Sequence, residues 1–176
     1  AAPLPAAGFE HDQLIETDGA PAVYGDWLHA GDDAPTALVY GHHDVQPVDP
    51  LELWETPPFE PTFVDGELRG RGSIDDKGQT AYEVEALRGL LALDGSLPVN
   101  VKVLVEGEEE VGSPNLEQFL AEHRERLRAD VIVIADSANW DIGAPALTTS
   151  LRGLVDCVVE VRTLDHAVHS GLWGGV

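Results

Sequence analysis

The sequence predicts an α/β fold, a mixed and mostly parallel sheet flanked by helices. Three observations carry that expectation. Short apolar runs alternate with helical stretches along the chain, the pattern of strands linked through helices. The runs have the length and the Val, Ile and Leu content of buried strands. Three of them end within a few positions of a His, a Glu cluster or an Asp. Ligands of open α/β sheets collect at the carboxyl ends of the strands. Three strand ends thus deliver imidazole and carboxylates to one sheet edge.

The elements follow in order. Thr36–Tyr40 reads as a short buried strand leading to His42. Phe59–Arg71 reads as a hairpin with Asp65-Gly66 at its turn. From about Lys77 to Leu93, Ala81, Val84, Leu87 and Leu91 recur on one helical face, and Gly95 follows the end. Val99–Val105 is a β-branched strand leading into Glu106–Glu110. Pro114 to about Leu127 reads as a second helix, with Ser113 as N-cap before Pro at the first position. Val131–Ala135 reads as a buried strand leading to Asp136, and Leu154–Val161 as a longer strand near the end. There is no internal repeat and no low-complexity segment.

Bulk composition narrows the function. The 176 residues suffice for one domain with a real core, and the hydrophobic share of 43% is that of a globular chain. Thirty-two acidic residues face 10 basic ones, for a formal charge of −22. Such a surface repels phosphate backbones, so nucleic acid is not an expected partner. No run reaches the roughly 18 apolar residues of a membrane span, so a membrane is not expected either. Cys157, the one cysteine, excludes an internal disulfide and is expected to pack as a small hydrophobe in a reducing, cytoplasmic compartment. Ala1 to Gly8 lacks the basic and apolar regions of a signal peptide. Without an initiator Met, the chain is expected to be processed or cut from something longer.

Four clusters carry chemistry. In Gly41-His42-His43-Asp44, a His two residues before an Asp can ligate a metal while the Asp holds its other ring nitrogen. In Gly70-Arg71-Gly72-Ser73-Ile74-Asp75-Asp76-Lys77-Gly78, glycines permit a tight loop before a helix. The paired aspartates suit a helix cap or a bridging metal ligand equally. Glu106-Gly107-Glu108-Glu109-Glu110 follows a buried strand, where crowded carboxylates repel unless a cation intervenes. Neighbouring glutamates there can divide ligation from general-base work. Asp136-Ser137-Ala138-Asn139, as a bare motif, is an Asx turn more often than a ligand. His169-Ser170-Gly171 lies in a Gly-rich turn, and no G-x-S-x-G elbow supports a Ser–His nucleophile there.

Taken together and in order, Gly41-His42-His43-Asp44-Val45-Gln46-Pro47, the Gly70–Gly78 and Glu106–Ser113 segments, Asp136 and His169-Ser170-Gly171 resemble one family. It is the co-catalytic zinc metallopeptidases that include carnosinase-like dipeptidases, glutamate carboxypeptidase and aminoacylase-type deacylases. The resemblance implies hydrolysis of dipeptides or similar amides by a water activated between two zinc ions per full-length subunit, with manganese or cobalt as alternatives. It implies that His42, Asp75 and Asp136 bind the first ion, and that Asp75 bridges to a second ion also held by Glu110. It implies Glu109 as general base, Asp44 as the group orienting His42, and His169 as a histidine reaching into a partner's site in a homodimer. A cis Asp75–Asp76 peptide is also implied. Asp rather than Glu at position 136, and the Gly-His-x-Asp-Val-Gln-Pro motif, accompany dipeptidases among the relatives.

The resemblance also sets expectations for organisation. Residues 1–150 would be the metal-binding core, with its N-terminal helices missing. Residues 151–176 would open a lid and dimerisation domain and stop before it is complete. The family's last zinc-ligand histidine lies beyond such a point, so the 176-residue chain alone is expected to be inactive. His43 departs from the family's usual Tyr or aliphatic residue and is expected to point away from the metal. Two rivals stand beside this reading. One is an N-acyl amino acid deacylase with the same metal core. The other is a non-catalytic acidic protein that binds calcium or is adapted to salt, although no D-x-[DN]-x-[DN]-G loop is present.

Overall fold

Strand β6 (Asn100–Glu106) is buried along its whole length and organises the structure. The computed structural model describes residues 3–162, 164–169, 171 and 172. A helical turn α1 (Pro3–Ala6) precedes β1 (Glu10–Ile15), β2 (Ala22–Trp27) and β3 (Thr36–His42). The hairpin β4 (Thr62–Val64) and β5 (Glu67–Arg69) follows, then helix α2 (Lys77–Asp94) and β6. Helices α3 (Leu116–Glu122) and α4 (Arg124–Leu127) lead to β7 (Val131–Ile134). The sheet order is β1-β2-β6-β3-β7. β6 pairs parallel with β3, which pairs parallel with β7, whereas β1, β2 and β6 are antiparallel neighbours. The sheet is mixed, its parallel half lying at β6, β3 and β7.

Alternation along β6 gives the sheet two apolar faces. Val101, Val103 and Val105 join Leu4, Phe9, Trp27, Val39 and Val84 on one side. Leu104 joins Ala22, Tyr24, Leu38, Phe119 and Leu127 on the other. Helix α2 covers the first face through Val84, with Leu87 and Leu91 packed beside it, while Ala81, expected on that stripe, is exposed. The helix stops at Gly95, whose left-handed φ of 70° lets its N–H reach Leu91 O. The Asp65-Gly66 turn has positive φ at both residues, as a two-residue hairpin requires.

The structure departs from the sequence reading in several places. Strands β1 and β2, which the sequence reading does not place, extend the sheet on its antiparallel side. β1 is almost wholly exposed, and β2 carries Gly25 and Asp26. The second helix is broken at His123 into α3 and α4. Ser113 does not cap it: Ser113 has a φ of 49°, and its hydroxyl donates to Glu106 Oε1 instead. β7 is exposed, not buried, because it is the sheet edge among the described residues. Leu154–Val161 forms no strand. It has no pairing partner among the described residues, and a lone strand leaves its backbone groups unpaired. Cys157, in that segment, is exposed rather than packed.

The chain divides into two compact units, Ala1–Ala138 and Asn139–Val176. Among its described residues the second is irregular apart from an Asp141–Ala144 bridge. Among the described residues no helix is long and apolar enough to cross a membrane.

Candidate metal centre

The parallel register assembles the site. His42 pairs with Glu106 at the ends of β3 and β6. On the other side of β3, Tyr40 pairs with Ile134, and the same register carried two residues further sets Asp136 level with His42. The Asp75–Asp76 loop reaches this edge from the start of α2. Its Asp75–Asp76 peptide is cis, as the sequence resemblance implied.

His42 is fully buried, and its two ring nitrogens face different partners. Nε2 lies 3.1 Å from Asp75 Oδ1, 3.6 Å from Asp136 Oδ2 and 3.9 Å from Glu109 Oε2. Nδ1 lies 3.2 Å from Asp44 Oδ1. Donor atoms of His42, Asp75 and Asp136 all lie within 4.8 Å of one another. Donors 2.0–2.2 Å from a tetrahedral zinc are roughly 3.3–3.6 Å apart, close to these separations. One imidazole with two carboxylates is also a donor set that zinc accepts. The residues therefore fit the metal that the motifs imply. Glu110 is not in this group of three.

Asp76 shows why the loop carries two aspartates. It is almost wholly buried, and it does not cap α2 through its side chain. Its Oδ2 accepts hydrogen bonds from His42 N and Thr80 Oγ1, both at 3.0 Å. The carboxylate ties the helix start to the strand end and leaves Asp75 to face Nε2. Gly41 makes this possible, since a Cβ there would lie 2.6 Å from Asp76 Oδ2. A larger residue would drive the anchor away.

Three glutamates in the Glu106–Glu110 run have separate partners. Glu106 is buried and accepts from Tyr40 OH and, at 2.9 Å, from Ser113 Oγ. Glu108 accepts from Asn115 Nδ2 at 2.8 Å, and Glu110 from Gln46 Nε2 at 2.8 Å. Among the described residues Glu109 receives no hydrogen bond on its carboxylate, which points toward His42. Asp44 completes the arrangement. Besides facing His42, it accepts Glu109 N at 3.2 Å and Glu110 N at 2.9 Å.

The electrostatics follow from burial and crowding. Burial pulls the His42 imidazole down, but Asp76, Glu109, Asp44 and Asp136 together carry it above its ordinary value. Glu109 is raised chiefly by burial and further by Asp136, Glu110 and Asp44, against the opposing pull of His42. Asp136 is raised by burial, then by Asp76 and Asp75. Glu109 and Asp136 thus hold protons more readily than solvated carboxylates, first because burial disfavours their charge and then because like charges are gathered beside them.

Residues singled out in the sequence divide accordingly. His42, Asp44, Asp75, Glu109 and Asp136 come together. His43 turns away, its Nε2 lying 2.9 Å from Pro21 O. His169 belongs to the second unit and is exposed, with its Nδ1 accepting Gly171 N at 3.0 Å. Ser170 lies outside the described residues. Sequence reasoning missed the work of Gln46, Asp76 and Glu106. Gln46 stood inside a quoted motif, but only its distance from Glu110 in space reveals its partner.

A family model described as peptidase family M20/M25/M40 matches residues 38–169. The chain belongs to this family. Its members are metal-dependent, and His42, Asp75 and Asp136 are a group that could hold a metal ion. The chain is 38% identical over 175 residues to a cysteinylglycine-S-conjugate dipeptidase of Corynebacterium striatum, covering 99% of this chain and 38% of that protein. It is 41% identical over 143 residues to human Beta-Ala-His dipeptidase, covering 80% of this chain and 28% of that protein. An M20 family metallo-carboxypeptidase from Sulfolobus solfataricus superposes with a TM-score of 0.69 at 36% identity, over 77% of this chain and 31% of that one. Human carnosine dipeptidase 1 gives 0.67 at 34% identity, over 78% and 31%. The chain thus spans under two fifths of the length of each of these relatives.

Proposed function

We propose that the polypeptide carrying this chain, at its full natural length, is a zinc-dependent dipeptidase. The observation that carries the reading is the convergence of Asp75, Asp136 and Glu109 on Nε2 of a fully buried His42. His42, Asp75 and Asp136 would hold one cation, and Asp75 with Glu110 would contribute to a second. When bound, the cations supply Lewis acidity that acidifies water and polarises a scissile carbonyl.

The chain's own residues do the rest. Asp44 fixes the ring of His42 through Nδ1, leaving Nε2 for ligation. Glu109, raised and without a hydrogen-bond donor among the described residues, takes the proton of the attacking water and returns it to the leaving amine. His169 would polarise the carbonyl of a substrate bound in a second copy of the protein, in a homodimer. Residues 1–150 would form the core and 151–176 would open the dimerising lid. Dipeptides as substrates are supported by the two sequence relatives, both dipeptidases, and by Asp at position 136.

The test is a substrate panel on protein stripped with chelator and reloaded with zinc. Cysteinylglycine and β-alanylhistidine are expected to be cleaved only after reloading. No dipeptide hydrolysis with zinc restored would refute the reading, and preferential cleavage of N-acyl amino acids would move it to a deacylase.

A further inference from the structure

We infer that Gln46 is a positioning residue that holds the Glu110 carboxylate ready as a cation ligand. This rests on the metal reading given above. Gln46 grips Glu110 at three points. Its backbone N–H donates to Glu110 Oε1 at 3.1 Å, and its side-chain amide donates to Oε2 at 2.8 Å and to the Glu110 backbone carbonyl at 3.0 Å. Both carboxylate oxygens and the backbone of one residue are therefore bound by a single glutamine, 64 positions away in sequence.

The chemistry of the grip leaves Glu110 free to ligate. A carboxylate offers about four lone-pair sites, and Gln46 fills one on each oxygen. An amide is neutral, so it orders the carboxylate without cancelling the negative charge that a cation needs. A lysine or arginine in the same place would compete with the cation. The adjacent Asp44 holds the Glu109 and Glu110 amides, so both ends of Asp44-Val45-Gln46 are stapled to the same turn. The strand end that supplies His42 therefore also sets where Glu110 points. Glu109 and Glu110 are split by this arrangement: one carboxylate is clamped and the other is left to move a proton.

Partners that orient metal ligands typically govern affinity 10–100-fold. The experiment uses the polypeptide at its full natural length, freed of metal and titrated with zinc against a competing chelator. Wild type, Gln46→Ala, Glu110→Gln and the double variant are compared. Glu110→Gln is expected to weaken one zinc-binding event. Gln46→Ala is expected to weaken the same event by about 10–100-fold while sparing the other. The double variant is expected to bind no more weakly than Glu110→Gln, because Gln46 acts through that carboxylate. Three results would overturn the inference: Gln46→Ala within twofold of wild type at both events, equal loss at both events, or additive losses in the double variant. A Glu110→Gln variant with unchanged affinity would overturn it too, by removing Glu110 as a ligand. A wild-type protein that binds no zinc at all would instead fail the metal reading, and this inference with it.

Discussion

Replacing Asp44 with Ala removes three accepted hydrogen bonds at once, from His42 Nδ1, Glu109 N and Glu110 N. Their consequences differ. The two backbone amides sit on a partly exposed turn, where water can replace the lost acceptor. His42 is fully buried, so its Nδ1–H would be left without a partner. An orphaned buried donor costs about 1–3 kcal/mol, which corresponds to roughly 5–150-fold in an equilibrium constant. The cost falls on the ligating state, in which the Nδ1 proton must remain while Nε2 gives its lone pair to the metal. Asp44→Ala is therefore expected to weaken zinc binding at the His42 site by a factor in that range. Asp44→Asn should also weaken it. Whichever way the amide turns, its NH2 group faces an N–H donor: the ring and Glu109 N on the Oδ1 side, or Glu110 N on the Oδ2 side. The assay is zinc affinity by chelator competition, with the heat-denaturation midpoint of the metal-free protein measured alongside. Asp44→Ala with zinc affinity within twofold of wild type would refute the reasoning.

Other expectations follow from the same structure. Glu109→Gln should abolish turnover while zinc content stays near wild type, whereas Glu110→Gln should lose metal. Residual activity above a few per cent in Glu109→Gln would remove Glu109 as the base. Among the described residues Glu83, on α2, has a buried Oε1 without a hydrogen-bond partner, and burial with the nearby Asp76 pushes its carboxyl up to about 7. A carboxyl raised on folding favours the folded state while protonated. Its contribution should therefore fade as pH rises from about 4.5 to about 7. Glu83→Gln should stabilise the protein at pH 8, by up to about 3 kcal/mol, and not at pH 4, as read from denaturant midpoints. Equal effects at both pH values would contradict this. Phe119→Ala, in the apolar face under α3, should cost about 3–5 kcal/mol, and a loss below 1 kcal/mol would show that this face is loosely packed.

The sequence revealed the parallel half of the sheet because Thr36–His42, Asn100–Glu106 and Val131–Ile134 are apolar runs closed by imidazole or carboxylate residues. It hid β1 and β2 because antiparallel strands need no continuous apolar run: β1 is an exposed edge, and β2, though buried, is interrupted by Gly25 and Asp26. Glu10–Ile15 reads as loop until Ala22–Trp27 is placed beside it. The apolar runs at Val131 and Leu154 look identical to a core strand on paper. Burial depends on what lies against them, which composition does not encode. His42, Asp75 and Asp136 were legible because strand ends and the pre-helix loop fix their neighbourhood. The division of labour among Glu106, Glu108, Glu109 and Glu110 was not, because it depends on Tyr40, Asn115 and Gln46, each distant in sequence or unremarkable by type.

The central claim is that His42, Asp75 and Asp136 hold a metal ion. Anomalous diffraction at the zinc edge from crystals of the zinc-loaded protein tests it most directly. The account predicts a peak about 2.0–2.2 Å from His42 Nε2 and from carboxylate oxygens of Asp75 and Asp136. A well-diffracting zinc-loaded crystal with no peak at that position, or with zinc bound only elsewhere, would contradict it.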